Sequence, residues 1–200
     1  MATTTPNYGW PVPTSTDYVK DGAVAIEALG DAIDATVFGL PSAGLTLISA
    51  TTVGSAVASV TVSGAFSSTY DNYKVTYTGG SASGANADLK MTLGAVTTAY
   101  YSIRSGYRYT AAALDFVDAN NGASWTPSGC VDVNPNLNMD ILQPNLAKIT
   151  LFNSAWNGGA GIAASAGYQD STTQFTAFTV SPNSGTFTGG TIRVYGYKKS

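Results

Sequence analysis

The segment Tyr73-Lys74-Val75-Thr76-Tyr77 decides the fold class, because apolar or aromatic side chains alternate in it with polar ones. Side chains of a β-strand point alternately to the two faces of a sheet, so this period of two predicts a strand with one buried face. Ile192-Arg193-Val194-Tyr195 follows the same pattern. Further strands are predicted at Leu45–Thr51, Val60–Val62, Ala87–Leu93, Ala99–Tyr109, Lys148–Phe152, Gly161–Tyr168 and Gln174–Val180.

Clusters of turn-forming residues separate these segments. They are Gly79-Gly80, Asn120-Asn121-Gly122, Asn157-Gly158-Gly159 and Pro182-Asn183-Ser184-Gly185. Many short strands at regular spacing predict a mainly β fold, an antiparallel β-sandwich or jelly roll, over residues 41–200. Residues 111–145 are the least regular part, and we expect long exposed loops there. Three prolines in that stretch argue against long central strands: Pro127, Pro135 and Pro144.

Residues 1–40 have a different character, and we expect an extended arm followed by one short amphipathic helix. Pro6, Pro11 and Pro13 favour extended backbone over residues 1–16. Tyr8, Trp10 and Val12 alternate along this arm. We interpret them as side chains that dock on another surface; the alternative is that they fold back on the chain's own helix.

The helix is predicted over residues 14–37. Thr14 and Asp17 form a capping-box pattern, and Val19, Ile26, Leu29 and Ile33 fall on one face, with Val37 near its edge. Spacings of three and four residues are typical of a coiled-coil seam. We therefore expect this helix to need partners, either copies of itself or a groove on a larger particle. Packing on its own β-domain is the alternative. The attachment or oligomerisation residues are Tyr8, Trp10, Val12, Val19, Ile26, Leu29, Ile33 and Val37.

The composition disfavours most enzyme chemistry. The 200 residues include no His, which excludes Ser-His-Asp and Cys-His triads and removes the commonest general base. Cys130 is the only cysteine, so it forms no intrachain disulfide and no zinc site; we expect a small buried side chain. The only Glu is Glu27, in the predicted helix. These features predict a protein without catalytic residues, metal or cofactor.

Charge and hydropathy limit the partners. Net charge is −3 and no basic patch occurs, so nucleic-acid binding lacks its main electrostatic contribution. No run reaches the ~20 apolar residues of a membrane helix, so we expect no membrane insertion. Residues 1–16 are polar and rich in proline, unlike a signal peptide, and we expect synthesis in the cytoplasm without export.

Aromatic residues provide the best candidates for a binding surface. Tyr and Trp combine a flat apolar face with a polar tip, which suits stacking on sugars or on partner proteins. The candidate ligand or partner surface consists of Tyr100, Tyr101, Trp125 and Trp156. The alternative is that these side chains serve the strands as core and cross-strand pairs.

Parts of the chain resemble structural proteins of tailed bacteriophages. Asn7–Pro13, Asp17–Ala23 and Leu29–Asp34 are similar to an N-terminal module that precedes varied outer domains in such proteins. This resemblance implies that residues 1–40 attach the chain to other virion proteins. The β-domain also resembles a recurrent phage virion domain, and it implies no catalytic residues. The segments concerned are Gly44–Thr51, Ser68–Val75 and Thr188–Lys198.

The expected role is that of a homotrimeric tail-fibre or spike-like appendage on the virion surface. Its β-domain would face outward, towards a host surface glycan. One alternative is a capsid decoration protein that coats or stabilises the head. A second alternative is a free carbohydrate-binding module.

Overall fold

The computed structural model describes residues 3–39, 44–84, 87–109, 111–128, 136–158 and 161–199. These residues form two compact units, unit 1 (residues 3–39) and unit 2 (residues 44–199). The chain is mainly β, with antiparallel sheets and one N-terminal helix, so the predicted fold class is confirmed.

Unit 1 contains two short antiparallel strands, β1 (Thr3–Thr4) and β2 (Pro11–Val12), and helix α1 (Gly22–Gly39), which a 3-10 turn at Val19–Asp21 precedes. The helix therefore begins later than residue 14, where the sequence predicted its start. The backbone N–H of Thr14 donates to Oδ2 of Asp17 at 2.8 Å, and the N–H of Asp17 donates to the Thr14 carbonyl at 3.1 Å. The capping-box residues close a local turn instead, because Tyr18 after them is extended (φ −68°, ψ 138°) and ends that turn.

The described residues of unit 2 form a two-sheet structure with twelve strands. They are β3 (Leu45–Thr52), β4 (Val60–Val62), β5 (Asn72–Ala82), β6 (Leu89–Leu93), β7 (Tyr100–Arg108), β8 (Ala113–Gly122), β9 (Trp125–Ser128), β10 (Leu137–Leu142), β11 (Thr150–Gly158), β12 (Gly161–Gln169), β13 (Phe178–Pro182) and β14 (Phe187–Tyr197). The large sheet has the order β3-β14-β5-β10-β11-β12-β7-β8, and the small sheet has the order β4-β13-β6-β9.

The hydrophobic core of unit 2 contains residues from both sheets. Tyr73 and Tyr77 of β5 and Phe178 of β13 are completely buried there. Trp125 of β9 packs at 5.5 Å from the ring of Tyr100 and at 4.6 Å from that of Phe152. Since each large side chain contributes about 1.5–3 kcal/mol on full burial, this core is the main source of stability in unit 2.

The expectation of long loops over residues 111–145 is wrong for most of the described part of that stretch. Strands β8, β9 and β10 lie there, and β10 pairs with both β5 and β11 near the middle of the large sheet. The six residues of β10 fit between Pro135 and Pro144, so these prolines flank the strand rather than interrupt it. Pro127 lies in β9 at the edge of the small sheet, where a missing N–H is tolerated. Cys130 and Pro135 are outside the described residues.

Gly79-Gly80 is not the predicted turn, because both residues lie inside β5. Gly79 has φ +78°, a left-handed conformation that favours glycine. A Cβ on Gly80 would overlap the Tyr77 hydroxyl and the Gly189 carbonyl, which are hydrogen-bonded to each other at 3.0 Å. The glycines therefore allow β5 and β14 to approach closely. The predicted turn at 182–185 is confirmed, since β13 ends at Pro182 and β14 begins at Phe187.

Candidate ligand- and partner-binding surfaces

The outer face of the large sheet, which points away from the core, carries a transverse row of small side chains. Ala155 of β11 pairs with Ala164 of β12, and Ala164 pairs with Ser105 of β7. Asn138 of β10 precedes this row, and Phe116 of β8, which pairs with Ser105, ends it. Three adjacent small side chains thus form a floor between a larger side chain at each end.

The next row of the same face forms one side of this depression. It consists of Asn157, Ile162, Tyr107 and Leu114, which are neighbours across β11, β12, β7 and β8. The two rows enclose an open trough of about 860 Å³, which we call the outer trough. Leu114 is 71% exposed and Phe116 is 63% exposed, which makes this apolar surface a candidate binding site.

Polar groups in the outer trough are available to a ligand. Within the part of the chain that the structure describes, the side-chain amides of Asn138 and Asn157 and the hydroxyl of Tyr107 form no hydrogen bond to protein. The side-chain amide of Asn136 donates a hydrogen bond to the backbone carbonyl of Asn157. This bond links the residue just before β10 to β11. Among the described residues, no charged side chain lines the trough. The site therefore offers uncharged donors and acceptors beside apolar surface.

The structure corrects the aromatic surface predicted from the sequence. Tyr100 and Trp125 are completely buried, so these two are core residues rather than a surface, whereas Trp156, although only 8% exposed, lines the outer trough. The Tyr100 hydroxyl donates to the Val96 carbonyl at 3.0 Å and the Trp125 indole N–H donates to the Tyr168 carbonyl at 3.0 Å. Their polar atoms are thus satisfied inside the fold, as is usual for buried aromatics.

Tyr101 differs from the other three predicted aromatics, because it lies on the outer face and is partly exposed. Its ring stacks on that of Tyr168, with centroids 4.8 Å apart and an angle of 13° between the planes. Sequence reasoning missed Leu114, Phe116 and Ile162, which come from strands that are distant in sequence. Alternate alanines at 164 and 166 in β12 were a usable signal for a shallow region on one sheet face.

In unit 1 the arm contacts the helix of the same chain. The indole N–H of Trp10 donates to Oγ1 of Thr36 at 2.9 Å, and that hydroxyl donates to the Ala32 carbonyl at 2.8 Å. The ring of Tyr8 stacks on Trp10 with centroids 5.1 Å apart, while Tyr8 remains 63% exposed. For Trp10, the alternative interpretation of the arm therefore holds, and one side of Tyr8 remains open.

The apolar face predicted for the helix is only partly covered. No residue of α1 is buried; Leu29 and Ile33 are half-buried. Val19, just before the helix, is 97% exposed, Ile26 is 65% exposed and Val37 is 58% exposed. These three predicted attachment residues form an apolar stripe without a protein contact that would shield them, whereas Val12 in β2 is half-buried.

A buried ion-pair cluster lies below β7 and β8. Arg104 is 2% exposed and binds Asp88 and Asp115, the latter at 3.0 Å; Arg108 also binds Asp115, at 3.2 Å. Asp115 thus serves the packing of the sheet. Among the described residues, no group of three or more His, Cys, Asp or Glu side chains is placed to hold a metal ion.

Comparison with known proteins gives no family assignment for this chain. No protein-family model matches it, and searches of curated proteins and of solved structures find no match either. Within the described residues, no helix has the length and apolar character needed to cross a membrane.

Proposed function

We propose that this chain is a non-enzymatic structural protein of a tailed-phage particle, displayed on the virion surface as a trimeric fibre- or spike-like appendage. Unit 1 attaches and assembles the protein, and unit 2 is the displayed domain. The observation that carries the proposal is the contrast in burial: unit 2 has a complete hydrophobic core, whereas no side chain of α1 is buried.

Contacts within the chain leave much of the apolar face of helix α1 exposed, so they do not explain why that face is apolar. Gly30 in the interior of α1 lowers its intrinsic helix stability, and most helical stability in proteins comes from packing an apolar face. Burial of Ile26 or Val37 in a partner would contribute about 1.5–3 kcal/mol each. The exposed stripe is therefore most readily explained as a contact that forms on assembly.

The spacing of the stripe suits helix association. Ile26 and Val37 are eleven residues apart, which is about three turns at 3.6 residues per turn, so they lie on the same side of α1. Three copies of α1 that meet along this side would bury both residues. Asp34 lies three residues before Val37 and so borders the stripe, where like charges from the three copies would oppose the association at low salt.

The charged residues of unit 2 support a structural role. Arg104 binds Asp88 and Asp115, and Lys74 binds Asp140 at 3.1 Å. Asp88, Asp115 and Asp140 thus form ion pairs with basic side chains, which is a structural use of a carboxylate rather than that of a catalytic acid–base pair. The resemblance of Asn7–Pro13, Asp17–Ala23 and Leu29–Asp34 to phage attachment modules supports the same assignment.

Immunoelectron microscopy tests the location. Antibodies raised against residues 44–199 should label phage particles purified from cells that make this protein, and label on the tail would favour a fibre or spike. Label on the head, together with loss of shell thermal stability when the protein is missing, would instead favour a decoration protein. Absence of the chain from purified particles would refute the proposal.

Sedimentation equilibrium tests the attachment stripe. The full-length chain should sediment as a trimer, more stable at high salt, and the double variant Ile26→Asp/Val37→Asp should be monomeric and fail to enter particles. Ala35→Asp is the matched control, because Ala35 is exposed on the opposite side of α1. A wild-type monomer that keeps its helix content would contradict the trimer.

A further inference from the structure

We propose that the outer trough is a binding site for a neutral oligosaccharide. This inference extends the proposed virion role by naming the ligand class of the displayed domain. It does not depend on that role for its test, because the isolated full-length protein is sufficient. The trough residues belong to five strands of one sheet, so the site is part of the folded scaffold.

The dimensions of the trough suit a short linear ligand. Neighbouring strands lie about 4.8 Å apart, so the row from Asn138 on β10 to Phe116 on β8 spans about 19 Å over four strand spacings. Between these ends, Ala155, Ala164 and Ser105 leave room for a ligand to lie close to the sheet. A chain of a few sugar rings fits this length.

The two ends of the trough offer the two kinds of contact that a sugar makes. A pyranose has an apolar C–H face and a rim of hydroxyl groups, each both donor and acceptor. Tyr107 and Phe116 provide aromatic surface for the apolar face at the β7–β8 end. At the β10–β11 end, Asn138 and Asn157 carry amides that combine donors with an acceptor and match hydroxyl groups.

The charge of the trough selects among ligands. The described lining contains neither a cation to neutralise a carboxylate or phosphate nor an anion to bind a basic group. A second copy of the chain is the main competing occupant, since Leu114 and Phe116 are highly exposed. A sugar is favoured over a second copy by the polar groups of Tyr107, Asn138 and Asn157. These groups have no hydrogen-bond partner within the described chain and would need one on burial, which the hydroxyl groups of a sugar can provide.

Saturation-transfer NMR with defined trisaccharides tests the proposal. Maltotriose, cellotriose and tri-N-acetylchitotriose are the neutral probes, and trigalacturonate is the anionic counterpart of similar length. At least one neutral probe should receive saturation from the protein, and trigalacturonate should not. Failure of all three neutral probes at millimolar concentration would overturn the proposal, while the particle-labelling test of the virion role would be unaffected.

Filling the floor locates the site. Ala164→Leu should weaken binding of the neutral probe about tenfold or more, which corresponds to roughly 1.4 kcal/mol. Ala50→Leu is the matched control: Ala50 is also exposed on the outer face and pairs with Arg193, at the opposite end of the large sheet. Both variants add the same side chain to a solvent-facing alanine, so both should keep the wild-type melting temperature.

Phe116→Ala should weaken the same binding about three- to tenfold through loss of the aromatic contact. Equal effects of Ala164→Leu and Ala50→Leu would overturn the site assignment. Loss of self-association in Ala164→Leu, measured by sedimentation, would also overturn it and identify a second copy as the occupant of the trough.

Discussion

The two faces of the large sheet differ in what their apolar residues do. On the inner face, Tyr77 and Val75 of β5 are completely buried under the small sheet. On the outer face, Leu114, Phe116 and Ile162 are 71%, 63% and 46% exposed. The same alternating sequence pattern thus places one set of apolar side chains in the core and another at the surface.

Polar and apolar side chains occupy different parts of the outer face. The part formed by β5, β10 and β14 is polar, with Lys74, Asp140 and Arg193. The apolar side chains of the trough gather at β12, β7 and β8, and a separate exposed pair, Leu45 and Leu47, lies on β3 at the other edge of the sheet. Since removal of exposed side chains has little effect on stability, this gathering is better explained by binding than by folding. The predictions below test this separation of folding from binding, from the largest effect to the smallest.

Trp125→Ala should be the most damaging change, because it removes the largest side chain of the core. The indole packs between Tyr100 and Phe152, and its N–H bonds to the Tyr168 carbonyl. We expect the free energy of unfolding to fall by about 3–5 kcal/mol, measured by urea denaturation. A loss below about 1 kcal/mol would contradict the assignment of Trp125 to a tightly packed core.

Arg104→Met tests the inner face beyond the apolar core. The guanidinium is 2% exposed and holds Asp88 and Asp115, which keep 22% and 14% exposure and so retain some hydration. We expect a loss of about 2–3 kcal/mol, less than for a fully buried pair. The double variant Arg104→Met/Asp88→Asn should recover part of that loss, because it also removes a carboxylate left without its partner. A double variant no more stable than the single one would contradict this account.

The sequence predicted the sheets well where alternation was regular. Tyr73–Tyr77 and Ile192–Tyr195 lie in β5 and β14 because tertiary packing agrees with their local pattern. Strand β8 was missed because Asp115, Asp118, Asn120 and Asn121 interrupt its apolar pattern, and β10 was missed because prolines stand near it in the sequence. Local sequence did not reveal that β10 ends at Leu142, before Pro144.

The candidate site was much less predictable than the fold. Tyr100 and Trp125 are residue types that are common in binding surfaces. Their positions in the strands turn both side chains towards the core, and both are buried. The floor residues Ser105, Ala155 and Ala164 become neighbours only through the order β11-β12-β7, and no local pattern determines that order. For the helix, the apolar face was predicted, but the hydrogen bond from Trp10 to Thr36 on the helix could be found only in the structure.

Alkaline pH tests a hydrogen bond on the polar part of the outer face. The Tyr197 hydroxyl donates to Oδ1 of Asp140 at 2.6 Å, which raises the pKa of Tyr197 to about 12, with burial as a smaller cause. The bond stabilises the protonated phenol, so its contribution is complete below pH 10, the ordinary pKa of tyrosine, and is lost as pH rises through about 12.

Wild type should therefore melt above Tyr197→Phe at neutral pH, by an amount equivalent to about 1 kcal/mol. The difference should shrink between pH 10 and 12. Burial also raises the pKa of Tyr77 and Tyr100, so only the comparison with the variant isolates Tyr197. A difference in melting temperature that stays constant over this interval would show that the bond to Asp140 contributes no pH-dependent stability.

Phe116→Ser should have the smallest effect on stability and separates the two faces most clearly. The ring is 63% exposed and ends the outer trough, so we expect the free energy of unfolding to change by no more than about 0.5 kcal/mol. Binding of a neutral trisaccharide should nevertheless weaken, because the aromatic contact is lost while the fold remains. If Phe116→Ser instead destabilises unit 2 by as much as Arg104→Met does, then the outer apolar side chains serve folding after all. Apolar side chains on both faces would then stabilise the fold, although the two faces differ in exposure.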